Sequence, residues 1–331
     1  MEILPPDGTN NPADTNAPAH RSEPLTRAVA PRSSILYGPN GLRAGWSILV
    51  YIGVLASLLY LAGFELRWVT RHLHQRIPGG AGGEFHPTLA IVAEATTLLV
   101  VVLATAAMAR LERRPVAFYG LVGVDRVRQF LLGIVSGFGF LSLLVGILVA
   151  THHLELSRVH MPTGQILGYA AAWGFCFFLV GMTEEFMLRG YLLFTLARGI
   201  RFWPAALLLA ALFGLLHKSN SGESPFGLVA AALVALVFSL SLWRLGHLWW
   251  AIGFHTAWDW AESFFYGTAD SGTVSAGRLM HAHPSGAVLL SGGATGPEGS
   301  LWVALILVLA AVFVWMTQPD RGLHFQRKMS S

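Results

Sequence analysis

Apolar runs long enough to cross a bilayer follow one another through most of this 331-residue chain. They leave it few folds. A spanning helix needs about 20 largely apolar residues, because the hydrocarbon core is about 30 Å thick and a helix rises about 1.5 Å per residue. Such runs fall at about 44–64, 88–109, 129–151, 164–198, 203–217, 226–243, 247–266 and 300–317. The fifth is short and the fourth exceeds a simple span. Ala197–Arg201, with Gly199, ends the fourth, and Pro204 suits the first turn of the fifth. Composition agrees with this reading. Hydrophobic residues make up 54% and charged residues 12%, against roughly 25% charged in soluble domains, and mean hydropathy is +0.55. The expected fold is an all-α integral membrane protein, a bundle of about eight transmembrane helices.

Residues 1–38 are rich in Pro, Asn, Ala and charge, with Pro5, Pro6, Pro12, Pro18, Pro24 and Pro31. Such a segment buries too little apolar surface to fold, which predicts a disordered N-terminal tail. No basic start followed by a short apolar run and a cleavage site is visible, so the first span is expected to act as an uncleaved anchor. With eight spans both termini share one side. That side carries 16 of the 22 basic residues and the other carries 6, which predicts cytoplasmic termini by the positive-inside rule. The net charge of +4 is therefore read as loop asymmetry, with no nucleic-acid partner implied. Cys176, the single cysteine, excludes an intrachain disulfide and a Cys-rich zinc site, and is expected to pack as a small apolar residue. Gly267–Ser300 is a Gly- and Ser-rich connection, expected either as a lid or as a plain external loop. No internal repeat is visible, so an inverted-repeat transporter lacks its signal.

Ionisable groups within the apolar runs are costly and mark candidate function. Glu184, Glu185 and Arg189 lie in Gly181–Arg189, between apolar stretches. Glu185 and Arg189 stand at i,i+4, the spacing at which a Glu–Arg pair forms, whereas Glu184 points about 100° away and has no local cation. Phe213-Gly-Leu-Leu-His217 closes the fifth run, and His255-Thr-Ala-Trp-Asp259 sets a second i,i+4 pair in the seventh. At about 1.5 Å per residue, Glu184, His217 and His255 lie about 21, 20 and 12–17 Å from the cytoplasmic ends of their helices, so they can share one layer. The remaining histidines are expected elsewhere. His72, His74, His152, His153, His281 and His283 fall in loops and are read as solvated, and His247 as a cation compatible with a helix end.

Glu184-Glu185-x-x-x-Arg189, Phe213-x-x-x-His217 and His255-x-x-x-Asp259 together resemble the three motifs of the CPBP family. That family comprises CAAX prenyl endopeptidases, bacteriocin-processing and self-immunity proteins, and related bacterial intramembrane proteases. The resemblance covers about 164–310 and divides the chain into four parts. These are a 1–38 tail, N-terminal transmembrane helices at 39–163, a catalytic transmembrane domain at 164–318, and a 319–331 cytoplasmic tail. It implies a glutamate-dependent endopeptidase in a bacterial inner membrane, acting on a membrane-associated or lipidated peptide or protein. Glu184 is expected as general base, with His217 sharing or positioning the water proton and His255 stabilising the oxyanion. Phe213, Glu185 and Arg189 are supporting residues.

The family's prenyl endopeptidases carry Asn where this chain has Asp259. An ionised Asp can only accept hydrogen bonds, so Asp259 is either protonated or, as favoured here, orients His255 by accepting from its ring. Glu184, His217, His255 and Asp259 would also serve as ligands for a divalent metal such as Zn²⁺, which stays open. Two other function classes compete. A catalytically idle scaffold or immunity protein would keep its function without Glu184, and a proton-coupled transporter would show flux dependent on a pH gradient.

Overall fold

The computed structural model describes residues 35–38, 41–74, 86–220 and 222–321. Residues 1–34 of the expected tail lie outside it, and so do 322–331 at the C-terminus. The tail's end is ordered rather than disordered: strand β1 (Tyr37–Gly38) pairs antiparallel with β2 (Gly41–Leu42) just before the first helix.

The helices are α1 (Ala44–His74), α2 (Pro87–Leu111), α3 (Arg126–Ala150), α4 (Thr163–Glu185), α5 (Leu193–Ile200), α6 (Phe202–Leu216), α7 (Pro225–Leu245), α8 (Trp249–Trp260), the four-residue α9 (Val288–Ser291) and α10 (Trp302–Thr317). A π-helical segment, Phe186–Leu192, joins α4 to α5, and another, Ala261–Phe265, extends α8. Among the described residues six helices are long and apolar enough to cross a membrane, the joined α4–α5 helix counting as one of them. The shortfall from eight lies in α8 and α10. α8 is wrapped by protein, with Trp250, Ala251, Ile252 and Phe254 fully buried, and α10 has 16 residues.

Starts and stops follow local chemistry. Pro87 opens α2, where the His86 ring accepts from the Thr88 N–H at 3.3 Å. Pro225 opens α7, where the Ser224 hydroxyl accepts from the Gly227 N–H at 3.0 Å. Both pairs satisfy amides that a helix start leaves open. α7 ends at Gly246, which takes the left-handed conformation at φ 77°.

The connections gather at two ends of the bundle. At one end, β3 (Leu154–Arg158) pairs antiparallel with β4 (Met280–Pro284), and Thr295 donates to the Gly222 carbonyl. At the other, Leu248 N–H donates to Gly120 O, the Trp249 indole donates to Leu121 O, and Arg198 pairs with Glu112 at 2.8 Å. Successive helices therefore run in alternating directions, with α8 and α10 completing eight traverses. Leu49, Leu61, Val135 and Leu305 face outward uncovered, as an apolar surface does against lipid. This is a multi-pass membrane protein.

α3 and α8 pack most intimately. A Cβ at Gly133, Gly137 or Gly253 would run into the backbone of the facing helix, so small residues are what let the two approach. The Gly267–Ser300 connection is structured rather than a plain loop. It contains β4, α9 and a 3-10 turn at Pro297–Gly299. Thr268, Ser275, Thr295 and Ser300 are buried, and the Trp173 indole of α4 donates to Ala276 O at 2.9 Å.

Candidate active site

The last turn of α4 faces the middle of α8. Gly181 makes this possible, because a Cβ there would sit 3.1 Å from the Ile252 carbonyl and 3.5 Å from the His255 Cβ. One turn further on, Glu184 and Glu185 reach His255. Glu185 is fully buried and pairs with Arg189 at 3.0 Å. The same Glu185 oxygen hydrogen-bonds His255 Nδ1 at 3.2 Å. The other ring nitrogen, Nε2, lies 3.6 Å from Glu184 Oε2 and 3.5 Å from Asp259 Oδ2. The ring is thus fixed by Glu185, whereas Asp259 stands beyond ordinary hydrogen-bond length. Glu184 has the cation-capable neighbour that helix geometry alone did not give it.

Arg189 is held on a second side by aromatic faces. Its guanidinium carbon lies 4.5 Å from the Phe213 ring centroid and 5.7 Å from that of Phe238. Phe238 also stacks on His255, with centroids 5.5 Å apart. A buried guanidinium is tolerated because a carboxylate and two π faces replace its water. Phe213 thereby serves two groups, since its ring also meets His217 edge-on at 4.6 Å. His217 caps α6 and donates from Nδ1 to the Phe213 carbonyl at 2.8 Å, which directs Nε2 away from its own helix.

Glu184, His217, His255 and Asp259 all line one cavity of about 250 Å³, together with Trp173, Phe213 and Phe238. Glu184 is partly exposed to it, and its Oε2 has no hydrogen-bond partner among the described residues. The structure brings together the residues of all three motifs. It also supplies Glu94 from α2, which the motif reading missed. The signal was present: Glu94 is the sole carboxylate inside the α2 run. Cys176 is buried beside Trp173, Phe177 and Phe264, as a packing residue would be.

The other histidines divide. His281 and His283 lie on β4, with ring centroids 6.3 Å apart, rather than in an irregular loop. The side chains of His72 and His74 lie outside the described residues. His247 is buried, contrary to the helix-end cation expected: its Nε2 meets the Val124 carbonyl at 3.2 Å, and burial lowers its basicity below the usual histidine value.

Three His, Cys or carboxylate ligand atoms come within 4.8 Å of one another, among the described residues, only at Glu262, Asp270 and Glu298. Glu184, His217, His255 and Asp259 do not form such a group.

Comparison with known families agrees with this segment of the chain. Residues 166–261 match the type II CAAX prenyl endopeptidase Rce1-like family model. The Rce1-like match begins in α4 and ends just after α8, so it encloses all three motifs, while Glu94, Asp270 and Glu298 of the cavity wall lie outside it. Neither the curated proteins nor the solved structures contain a match to the chain.

Proposed function

We propose that this protein is a glutamate-dependent intramembrane endopeptidase that hydrolyses a peptide bond in a membrane-associated or lipidated polypeptide. The observation that carries the reading is a single cavity lined by Glu184, His217, His255 and Asp259, with a Glu184 oxygen that has no hydrogen-bond partner among the described residues. The Rce1-like match over the same helices supports it.

Peptide hydrolysis needs a base for water, a donor for the oxyanion and a proton for the leaving amine. Glu184 takes a proton from water, and the resulting hydroxide bonds to the scissile carbonyl carbon. The carbonyl π electrons move onto oxygen, and His255 donates to that oxyanion. Collapse breaks the C–N bond, and the Glu184 proton passes to the departing nitrogen. His217 orients the attacking water. Glu185 and Arg189 set the His255 ring, and Asp259 supplies negative charge at its Nε2.

The deciding experiment compares wild type with Glu184→Gln in cells, profiling membrane-protein termini by mass spectrometry at matched expression. A defined set of termini should vanish in the variant. Against a substrate so identified, Glu184→Gln should lower the cleavage rate by about 10²–10⁴-fold, the range of general-base catalysis. Coincident profiles, with a phenotype on full deletion, would establish the idle scaffold instead.

A further inference from the structure

A second acidic group lies where α8 ends. Glu262 in the π-helical turn, and Asp270 and Glu298 in the connection that follows, each bring a carboxylate oxygen within 4.8 Å of the other two. Acidic clusters on a surface are common and signify little. This one contains Glu262, which is fully buried, and neither of its oxygens has a hydrogen-bond partner among the described residues. The Trp258 side chain lies beside it, a neutral neighbour that brings no counter-charge. An unpaired buried carboxylate is among the costlier groups a fold can contain, and it asks for a counter-charge.

The surroundings are built rather than incidental. Ser271 donates its N–H and hydroxyl to Glu298 Oε1 at 2.8 and 2.5 Å, and the Ser263 hydroxyl donates to Asp270 Oδ2 at 3.0 Å. Each carboxylate is thus oriented through one oxygen, which leaves the second for another partner. Thr268 closes the turn by donating its N–H and hydroxyl to the Glu262 carbonyl, both at 3.0 Å. Gly296, at φ 111°, passes so close that a Cβ would lie 3.1 Å from Glu262 Oε1 and collide with the Ala269 carbonyl.

We propose that Glu262, Asp270 and Glu298 bind one divalent cation of the Ca²⁺ kind and so clamp the 267–300 connection to the end of α8. All three ligands are carboxylate oxygens, the donors of hard cations. Their oxygens all lie within 4.8 Å of one another, close enough for one ion with bonds of roughly 2.3–2.6 Å to draw on all three with small side-chain adjustments. Mg²⁺ holds its waters more tightly and is usually taken by one or two carboxylates rather than by an all-protein set of three. Asp270 and Glu298 also wall the cavity that contains Glu184, so the ion fixes one side of that cavity without entering the Glu184 set.

The test uses full-length protein in detergent, stripped with chelator and titrated calorimetrically with CaCl₂ or MgCl₂, with thermal unfolding in parallel. Wild type should bind one Ca²⁺ per chain with a saturable rise in Tm, and bind Mg²⁺ at least about tenfold more weakly. Glu262→Gln and Asp270→Asn should each weaken Ca²⁺ binding by about tenfold or more and lose the Tm rise. Glu184→Gln should bind Ca²⁺ like wild type whether or not the peptidase reading holds. The proposal is overturned if stripped wild type takes up no Ca²⁺, or if Asp270→Asn binds it unchanged. Loss of binding in Glu184→Gln would also overturn it, by moving the ion to the other site. If Glu262→Gln fails to fold, the wild-type and Asp270→Asn titrations still decide. A stripped Glu262→Gln more stable than wild type, with no Ca²⁺ response in either, would mean a buried proton takes the place of the ion.

Discussion

At the scale of single residues, the motif carboxylates divide their work by burial. Glu185 is sealed in and bonded to Arg189 and His255, while Glu184, its neighbour in sequence, opens on the cavity. Arg189→Met should therefore destabilise the protein by about 3–5 kcal/mol, because it removes the guanidinium from a buried carboxylate and leaves Glu185 only its His255 bond. Adding Glu185→Leu should restore part of that loss, which a double-mutant cycle by thermal unfolding in micelles would measure. His247 provides a pH handle. Burial holds its folded-state basicity below the unfolded value of 6.5. Between 6.5 and the lower folded value the unfolded chain binds the extra proton, so stability should fall as pH drops through that window and level off below it. His247→Gln should flatten that slope. Much of this scale was legible in the sequence, since each charge inside an apolar run demanded a partner. The choice of partner was not: the acceptor that fixes His255 is Glu185, from another helix, rather than Asp259 one turn along.

At the scale of elements, apolar length and Gly or Pro punctuation located the long apolar helices to within a few residues, α1 excepted, which runs on to His74, and missed the short α9. Hydropathy reports burial in lipid or protein alike, so it gave no sign that α8 is enclosed by its neighbours. Nor did it show how closely α3 approaches α8. Gly137→Leu should push the helices apart and cost about 1–3 kcal/mol or more, read as a lower Tm in micelles. Leucine at Gly139, where a Cβ meets nothing within 4 Å, should leave Tm within about 0.5 kcal/mol of wild type in equivalent stability. The 267–300 connection read as loop because Gly and Ser carry no periodicity. Its order comes from contacts distant in sequence, the β3–β4 pairing and the Trp173–Ala276 hydrogen bond among them.

For the whole molecule, the alternation of connections between two ends makes a topological prediction. With Cys176 replaced by Ala, single cysteines at Arg114 and at His283 should react with an impermeant maleimide from opposite sides of sealed vesicles. Modification of both from the same side would remove the eight-traverse arrangement. The basic-residue asymmetry predicts the Arg114 end in the cytoplasm, and the same labelling in intact cells tests that orientation.

The π-helical stretch Phe186–Leu192 also bears on how this chain tolerates change. It fits an extra residue into one turn, with Gly190 at ψ −110° taking up the misfit. The two halves of the long helix are therefore set out of phase. Glu184 and Glu185 look toward α8, while Tyr191 and Arg198 reach Glu112 at the end of α2. Loss of a single codon here would leave length, charge and hydropathy almost unaltered and would even regularise the helix. Yet it would swing one half by about 100° against the other. Either the acid pair or the α2 tether would then face the wrong neighbour, so a deletion neutral by composition becomes a rotation of the active centre.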